Sequence, residues 1–91
     1  MATIAEWIRI DENNVLDGLN AASEKLAGAE GELVLDFTAV LRVDPAGLKA
    51  LGKLAERAKR KSVKLVLRGV HVDVYRVLKL ARLAPHFTFL V

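Results

Sequence analysis

The segment Gly31–Leu54, GELVLDFTAVLRVDPAGLKALGKL, decides the fold. Leu33, Val34, Leu35 and Phe37 make a short apolar run broken only by Asp36. Such a run reads as a strand buried on both faces, the pattern of a parallel sheet. After a loop over Thr38–Val43 comes Asp44-Pro45, a carboxylate at a helix N-cap with proline at the first helical position. Aspartate there accepts an orphan amide proton of the first turn, and proline lacks only an N–H that had no partner. Leu48, Leu51, Leu54, Ala55 and Ala58 then recur at helical spacing. Strand, loop and capped helix make half of a βαβ unit.

Working outward, the same alternation continues. Trp7-Ile8-Arg9-Ile10 is strand-like, and a first strand is expected over Thr3–Ile10. Asp11 is placed to cap a helix, with Glu12 in its first turn. Val15, Leu19, Ala22 and Leu26 form its apolar stripe, widened by Leu16 and Ser23, and Gly28 and Gly31 end it before a strand near Glu32. The helix from Pro45 to about Lys61 carries Lys49, Lys53 and Arg57 four apart on one exposed face. Lys59, Arg60 and Lys61 crowd its last turn, where the dipole favours cations.

Val63–Leu67 alternates as a third strand. Gly69-Val70-His71 turns into a helix with Val74, Val77, Leu78 and Ala81 inward, stopped by Leu83-Ala84-Pro85. Phe87, Phe89 and Val91 alternate with Thr88 and Leu90 as a last strand. The order is β-α-β-α-β-α-β. It predicts an α/β fold: an open mixed or parallel sheet of about four strands, three helices and right-handed crossovers.

Ninety-one residues, 53% of them apolar, are expected to form a single domain over 1–91 with one core. No apolar run approaches the roughly 18 residues of a membrane span, so no direct membrane insertion is expected. The first ten residues lack the basic and apolar regions of a signal peptide. The absence of cysteine excludes disulfides and thiol chemistry and fits a cytoplasmic location. The net charge of +3 hides an asymmetry: Met1–Asp36 carries two basic and eight acidic residues, Phe37–Val91 twelve basic and three acidic. These poles of −6 and +9 either steer a partner or a second copy, or are two solvated faces of different charge.

Catalysis finds little support. His71 and His86 are the only histidines, and no serine stands in a nucleophile elbow. His71 reads as a helix-start residue rather than a general base. Two isolated histidines make no metal site, and Gly47 and Gly52 are not followed by the lysine and hydroxyl of a P-loop. No cofactor is implied. Asp11, Glu12 and Asp36 suggest a phosphoaspartate pocket, but Asp36 reads better as an acceptor for the amides of the loop that follows it. The basic helix and a pI of 9.5 suggest nucleic acid. Aromatics are too few for base stacking, so a solvated basic face is the better reading and no nucleic acid is expected.

Partner docking remains. Leu41, on a short loop beside Arg42, either anchors a partner or tucks beneath the loop, while Val43 is expected to be buried. Asp36-Phe37-Thr38-Ala39-Val40-Leu41-Arg42-Val43-Asp44-Pro45-Ala46-Gly47-Leu48 resembles the signature of the STAS family. That family includes anti-sigma-factor antagonists, cytoplasmic tails of sulfate transporters and the small subunit of bacterial lipid-asymmetry transporters. The resemblance spans about Ile10–Leu83. It departs from phospho-regulated antagonists at Ala46, where they carry the serine or threonine that a kinase modifies. Pro45 also differs from their pattern.

The resemblance implies a non-enzymatic bacterial regulator that docks through the Val40–Gly47 loop and the start of the second helix. The implied partner-binding residues are Leu41, Arg42, Asp44, Pro45, Ala46 and Gly47, with Lys49 and Lys53 on the helix. An anti-sigma factor is one implied partner. Val66–Leu80, with its Gly-Val turn and Val-Tyr pair, looks closer to the lipid-transporter branch, whose small subunit meets an ABC ATPase. STAS domains usually open with a two-stranded hairpin, and ten residues are too few for one. The exposed edge this leaves predicts a homodimer through the N-terminal strand, or a partner that covers it.

Overall fold

Each apolar stripe finds a place on one parallel sheet. The computed structural model describes residues 6–28 and 31–90. Among them, β1 (Glu6–Arg9) leads through a 3-10 turn (Glu12–Asn14) into α1 (Val15–Leu26). Then follow β2 (Glu32–Asp36), α2 (Pro45–Lys61), β3 (Lys64–Arg68), α3 (Val72–Leu80), a second 3-10 turn (Ala84–His86) and β4 (Thr88–Leu90). The strands lie in the order β1-β2-β3-β4, all pairs parallel. The expected α/β order is present, and the sheet is parallel rather than mixed. Residues 3–5 of the anticipated first strand lie outside the described residues.

Strand order decides where the helices go. Each crossover leads to the adjacent strand in one direction, so connections of a single hand put every helix on the same face. The packing agrees. Leu33, Leu35, Phe37, Leu65 and Leu67 share one cluster with Leu19 and Leu26 of α1, Leu51 and Leu54 of α2, and Val74 and Leu78 of α3. Val34 and Val66, between these leucines in sequence, point away from that cluster.

The reading of β2 as a strand buried on both faces holds, although helices cover only one of them. Val34 and Val66, on the other face, are only 4% and 6% exposed. The Arg68 guanidinium lies 5.5 Å from the Trp7 ring centroid, although β2 runs between their strands. It thus spans the row that Val34 occupies. Arg68 also sits 3.8 Å from Asp36. An exposed cation–π contact and a surface ion pair contribute about 1 kcal/mol or less each.

The helix ends show which signals were sufficient. Asp11 does cap, but it caps the 3-10 turn by accepting from the Asn13 amide (2.9 Å), and α1 starts only at Val15. Leu16, expected to widen the buried stripe, is 45% exposed. α2 ends with Ser62 in the left-handed region (φ 57°), while the Val63 N–H reaches back to the Ala58 carbonyl at 2.9 Å. α3 stops before the anticipated Leu83-Ala84-Pro85. Arg82 takes the left-handed conformation (φ 62°), the Leu83 N–H bonds the Leu78 carbonyl at 2.9 Å, and Ala81 lies exposed. Both ends follow the Schellman pattern without glycine.

Gly69, which follows β3, adopts φ 67°, and a Cβ built there collides with the Thr38 Cγ2 methyl. Gly69→Ala should therefore cost about 2–4 kcal/mol, from left-handed strain plus overpacking. Adding Thr38→Ser removes the methyl and keeps the hydroxyl, so the double variant should recover all but about 1 kcal/mol. Urea unfolding of the four proteins checks this, since simple additivity would exclude the clash as the cause.

Candidate partner-docking site

The loop after β2 begins from a fixed rim. Where the strands end, backbone bonds continue across the sheet: Ile10 N–H to the Asp36 carbonyl (3.0 Å), Phe37 N–H to Arg68 (2.9 Å) and Gly69 N–H to Leu90 (3.0 Å). Asp36 then holds the first turn, its carboxylate accepting from the Thr38 amide (3.0 Å) and the Thr38 hydroxyl (2.6 Å). This is the loop-holding role expected of Asp36. The Thr38 hydroxyl, followed by its amide, lowers the Asp36 pKa; Arg68 and Arg9 add to this and partial burial opposes it. His71, at the N-terminal boundary of α3, bonds the Thr38 carbonyl through Nε2 at 2.9 Å. A carbonyl only accepts, so Nε2 carries the proton. The ring ties two loops together.

The far end of the loop is held by the cap. Asp44 accepts from the Gly47 amide at 2.7 Å, and the Leu48 N–H bonds the Asp44 carbonyl at 2.9 Å. Gly47 is buried, and a Cβ there would lie 2.9 Å from Val43 Cγ1 and 3.2 Å from Asp44 Oδ1. Val40 is fully buried and Val43 packs against the core, the latter as expected. The anticipated surface Val40–Gly47 therefore narrows. Val40 and Gly47 shape the loop from inside, while Leu41, Arg42, Asp44, Pro45 and Ala46 face outward. Leu41 takes the exposed of its two readings, at 55%. Lys49 and Lys53 are exposed along α2, one and two turns beyond Ala46.

The first helix contributes a wall that sequence reasoning left out. An open depression of about 430 Å³ lies between the loop and the start of α1, bounded by Glu12, Leu16, Asp17, Arg42, Asp44 and Ala46. A second, of about 280 Å³, continues between α1 and α2 past Leu16, Asn20, Ser23, Ala46, Lys49 and Lys53. Arg57 closes the far end by hydrogen bonding the Ser23 hydroxyl. Glu12, Asp17 and Asp44, with Arg42, border one end of this groove, and Lys49 and Lys53 the other. Leu16 is the one large apolar residue exposed on α1, and its spacing gave no sign of it.

The fold and this loop coincide with a known family. The STAS domain profile matches residues 3–90. The chain belongs to the STAS domain family. A crystal structure from Thermotoga maritima, described as a candidate anti-sigma factor antagonist, superposes with a TM-score of 0.72. It shares 17% identity, with 96% of this chain and 73% of that chain covered. A likeness at this identity speaks for the STAS fold alone. No curated protein matches the chain.

Two substitutions test how this STAS domain holds its loop. Asp44→Ala should cost about 1 kcal/mol, the usual value of a lost cap, and Asp44→Asn far less. An unchanged midpoint for the alanine variant in thermal unfolding would mean that the cap bond contributes nothing. Asp36 has a folded-state pKa below its unfolded one, so it stabilises the domain above the unfolded value. That stabilisation disappears as pH falls through the folded value. From about pH 4 downward, the stability of Asp36→Asn should therefore fall less steeply than that of the parent, as chemical unfolding at each pH would show.

Proposed function

We propose that this STAS domain is a non-enzymatic regulator of the anti-sigma-factor-antagonist type, acting in the bacterial cytoplasm by docking on a protein partner. The observation that carries this reading is Leu41. It is a large apolar residue, 55% exposed, on a loop whose two ends are pinned by Asp36 and Asp44. A pinned loop presents an apolar anchor at little ordering cost, which is what makes a binding hot spot effective. Arg42, Asp44, Pro45 and Ala46 surround the anchor, and Lys49 and Lys53 extend the contact along α2. Among the described residues no helix is long and apolar enough to cross a membrane.

A second reading rests on Ala46. It stands exposed at the start of α2 and has no oxygen to receive a phosphate. A partner that binds without modifying it, such as the ATPase of a lipid-transport ABC complex, suits that residue as well as an anti-sigma factor does. The two readings share a surface and differ in the partner.

A third element concerns β1. It is an edge strand of the sheet, and Trp7 is 56% exposed. Two copies running antiparallel about a twofold axis at Ile8 would set Trp7 of one opposite Arg9 of the other. Homodimerisation through this edge therefore belongs to the proposal.

Leu41→Asp should weaken binding at least tenfold to whichever partner is genuine, purified anti-sigma kinase or purified ATPase, without moving the unfolding midpoint. Titration calorimetry against both proteins decides. Unaltered affinity would remove Leu41 from the interface, and binding to neither would defeat the docking reading. With kinase and ATP, mass spectrometry should find no added phosphate, Thr38 being engaged by Asp36. Trp7→Lys, which would set a like charge opposite Arg9 of the other copy, should shift light-scattering mass from dimer to monomer. Ile8 is a poorer probe, because it packs against the core.

A further inference from the structure

The edge of the sheet opposite β1 carries a groove that the docking loop does not touch. Tyr75, Lys79, Arg82, Ala84, Pro85 and Phe89 line an open depression of about 530 Å³ between α3 and β4. Its floor is aromatic: Tyr75 and Phe89 meet edge to face, with ring centroids 5.0 Å apart. Two cations stand on its walls, no carboxylate lines it, and neither Lys79 nor Arg82 forms an ion pair among the described residues.

The backbone beside the groove is open as well. The N–H and C=O of one strand residue point to the same side, and that side alternates along the strand. Leu90 turns its carbonyl inward to the Gly69 amide, so Phe89 directs both of its groups outward, past the last strand of the sheet. Leu90 is 48% exposed on the helix-free face of that edge.

We propose that this edge binds an extended acidic-apolar peptide segment, which adds as a strand beside β4. The Phe89 backbone would supply hydrogen bonds, and alternate side chains would supply specificity. On the helix face of the added strand, one apolar side chain fills the Tyr75–Phe89–Pro85 floor. Its neighbours two residues away on each side carry carboxylates to Lys79 and Arg82. On the other face, residues between them pack beside Leu90. The site is separate from the Leu41 surface, so one domain can hold two protein segments at once.

The test is an NMR titration of the labelled full chain with the peptide acetyl-Ser-Glu-Val-Phe-Val-Glu-Ser-amide. We expect saturable shifts at the Phe89 amide and the Tyr75 ring, and slowed exchange of that amide. The same peptide with lysine for both glutamates should bind at least tenfold more weakly. Lys79→Glu with Arg82→Asn should cost the acidic peptide at least fivefold, asparagine being chosen because it tolerates the left-handed backbone of that position. Leu41→Asp should leave peptide binding unchanged, which separates this site from the docking loop. Four results would overturn the proposal: no saturable shift up to about 1 mM peptide; equal binding of the lysine peptide; shifts confined to residues 41–47; or Phe89 shifts that follow protein concentration alone, meaning that a second copy occupies the edge.

Discussion

One-sided burial of a parallel sheet governs this molecule. Leu33, Leu35, Phe37, Leu65 and Leu67 are at most 2% exposed and share a single cluster with all three helices. Side chains alternate across a strand, so committing these five to the helices commits Val34, Val66, Trp7 and Arg68 to the other face. Shifting β2 by one residue would exchange the two sets, and the register is fixed for that reason. Full burial of each leucine is worth about 1.5–3 kcal/mol, against about 1 kcal/mol or less for any of the exposed ion pairs. The sheet and its helices are therefore held by packing, and charge is left free for the surface.

The loop after β2 shows the complementary economy. Phe37 and Val40 enter the core, and between them the chain turns on bonds from Thr38 to the Asp36 carboxylate and from the Val40 amide to the Phe37 carbonyl (2.9 Å). His71 joins this turn to the start of α3, and Asp44 joins the loop's far end to α2. Leu41 and Arg42 are thus carried outward between two fixed points. Their position follows from the sheet, the cap and the histidine together, so a change at Gly69 or Asp36 reaches the surface through the loop without touching a partner.

Much of this was legible in the sequence because the signals were local. Asp44-Pro45 marks the start of α2 by cap chemistry, and the leucine spacing marks its length. Features that depend on neighbours in space were not legible. The apolar run of β2 reads as buried on both faces, and it is, but which face the helices take and the meeting of Arg68 with Trp7 on the other depend on partners distant in sequence. Leu16 fits a buried stripe by spacing, but α1 begins three residues later than the Asp11 cap suggests. Its buried face runs through Leu19, Ala22 and Leu26, as their spacing indicates, and leaves Leu16 outside it beside Ala46. Arg82 stops α3 in a left-handed conformation for which arginine gives no warning. Of the candidate site residues, Val40 and Gly47 went inward because the loop needs apolar and side-chain-free positions to close.

The surroundings of Ala46 bear on the proposal that this loop is not switched by phosphate. Glu12, Asp17 and Asp44 border its depression, with Arg42 the one cation among the bordering residues. A phosphate carries about two negative charges near neutral pH, and beside carboxylates it is repelled rather than held. The helix N-terminus would favour an anion there, but the Asp44 carboxylate already occupies that field through the Gly47 amide. A phosphate at position 46 would meet these three acids and Arg42 on one side, and Lys49 and Lys53 on the other. Alanine carries no such group, so the charge beside the exposed Leu41 stays constant. On the proposed docking reading, regulation through this face would come from which partner is present.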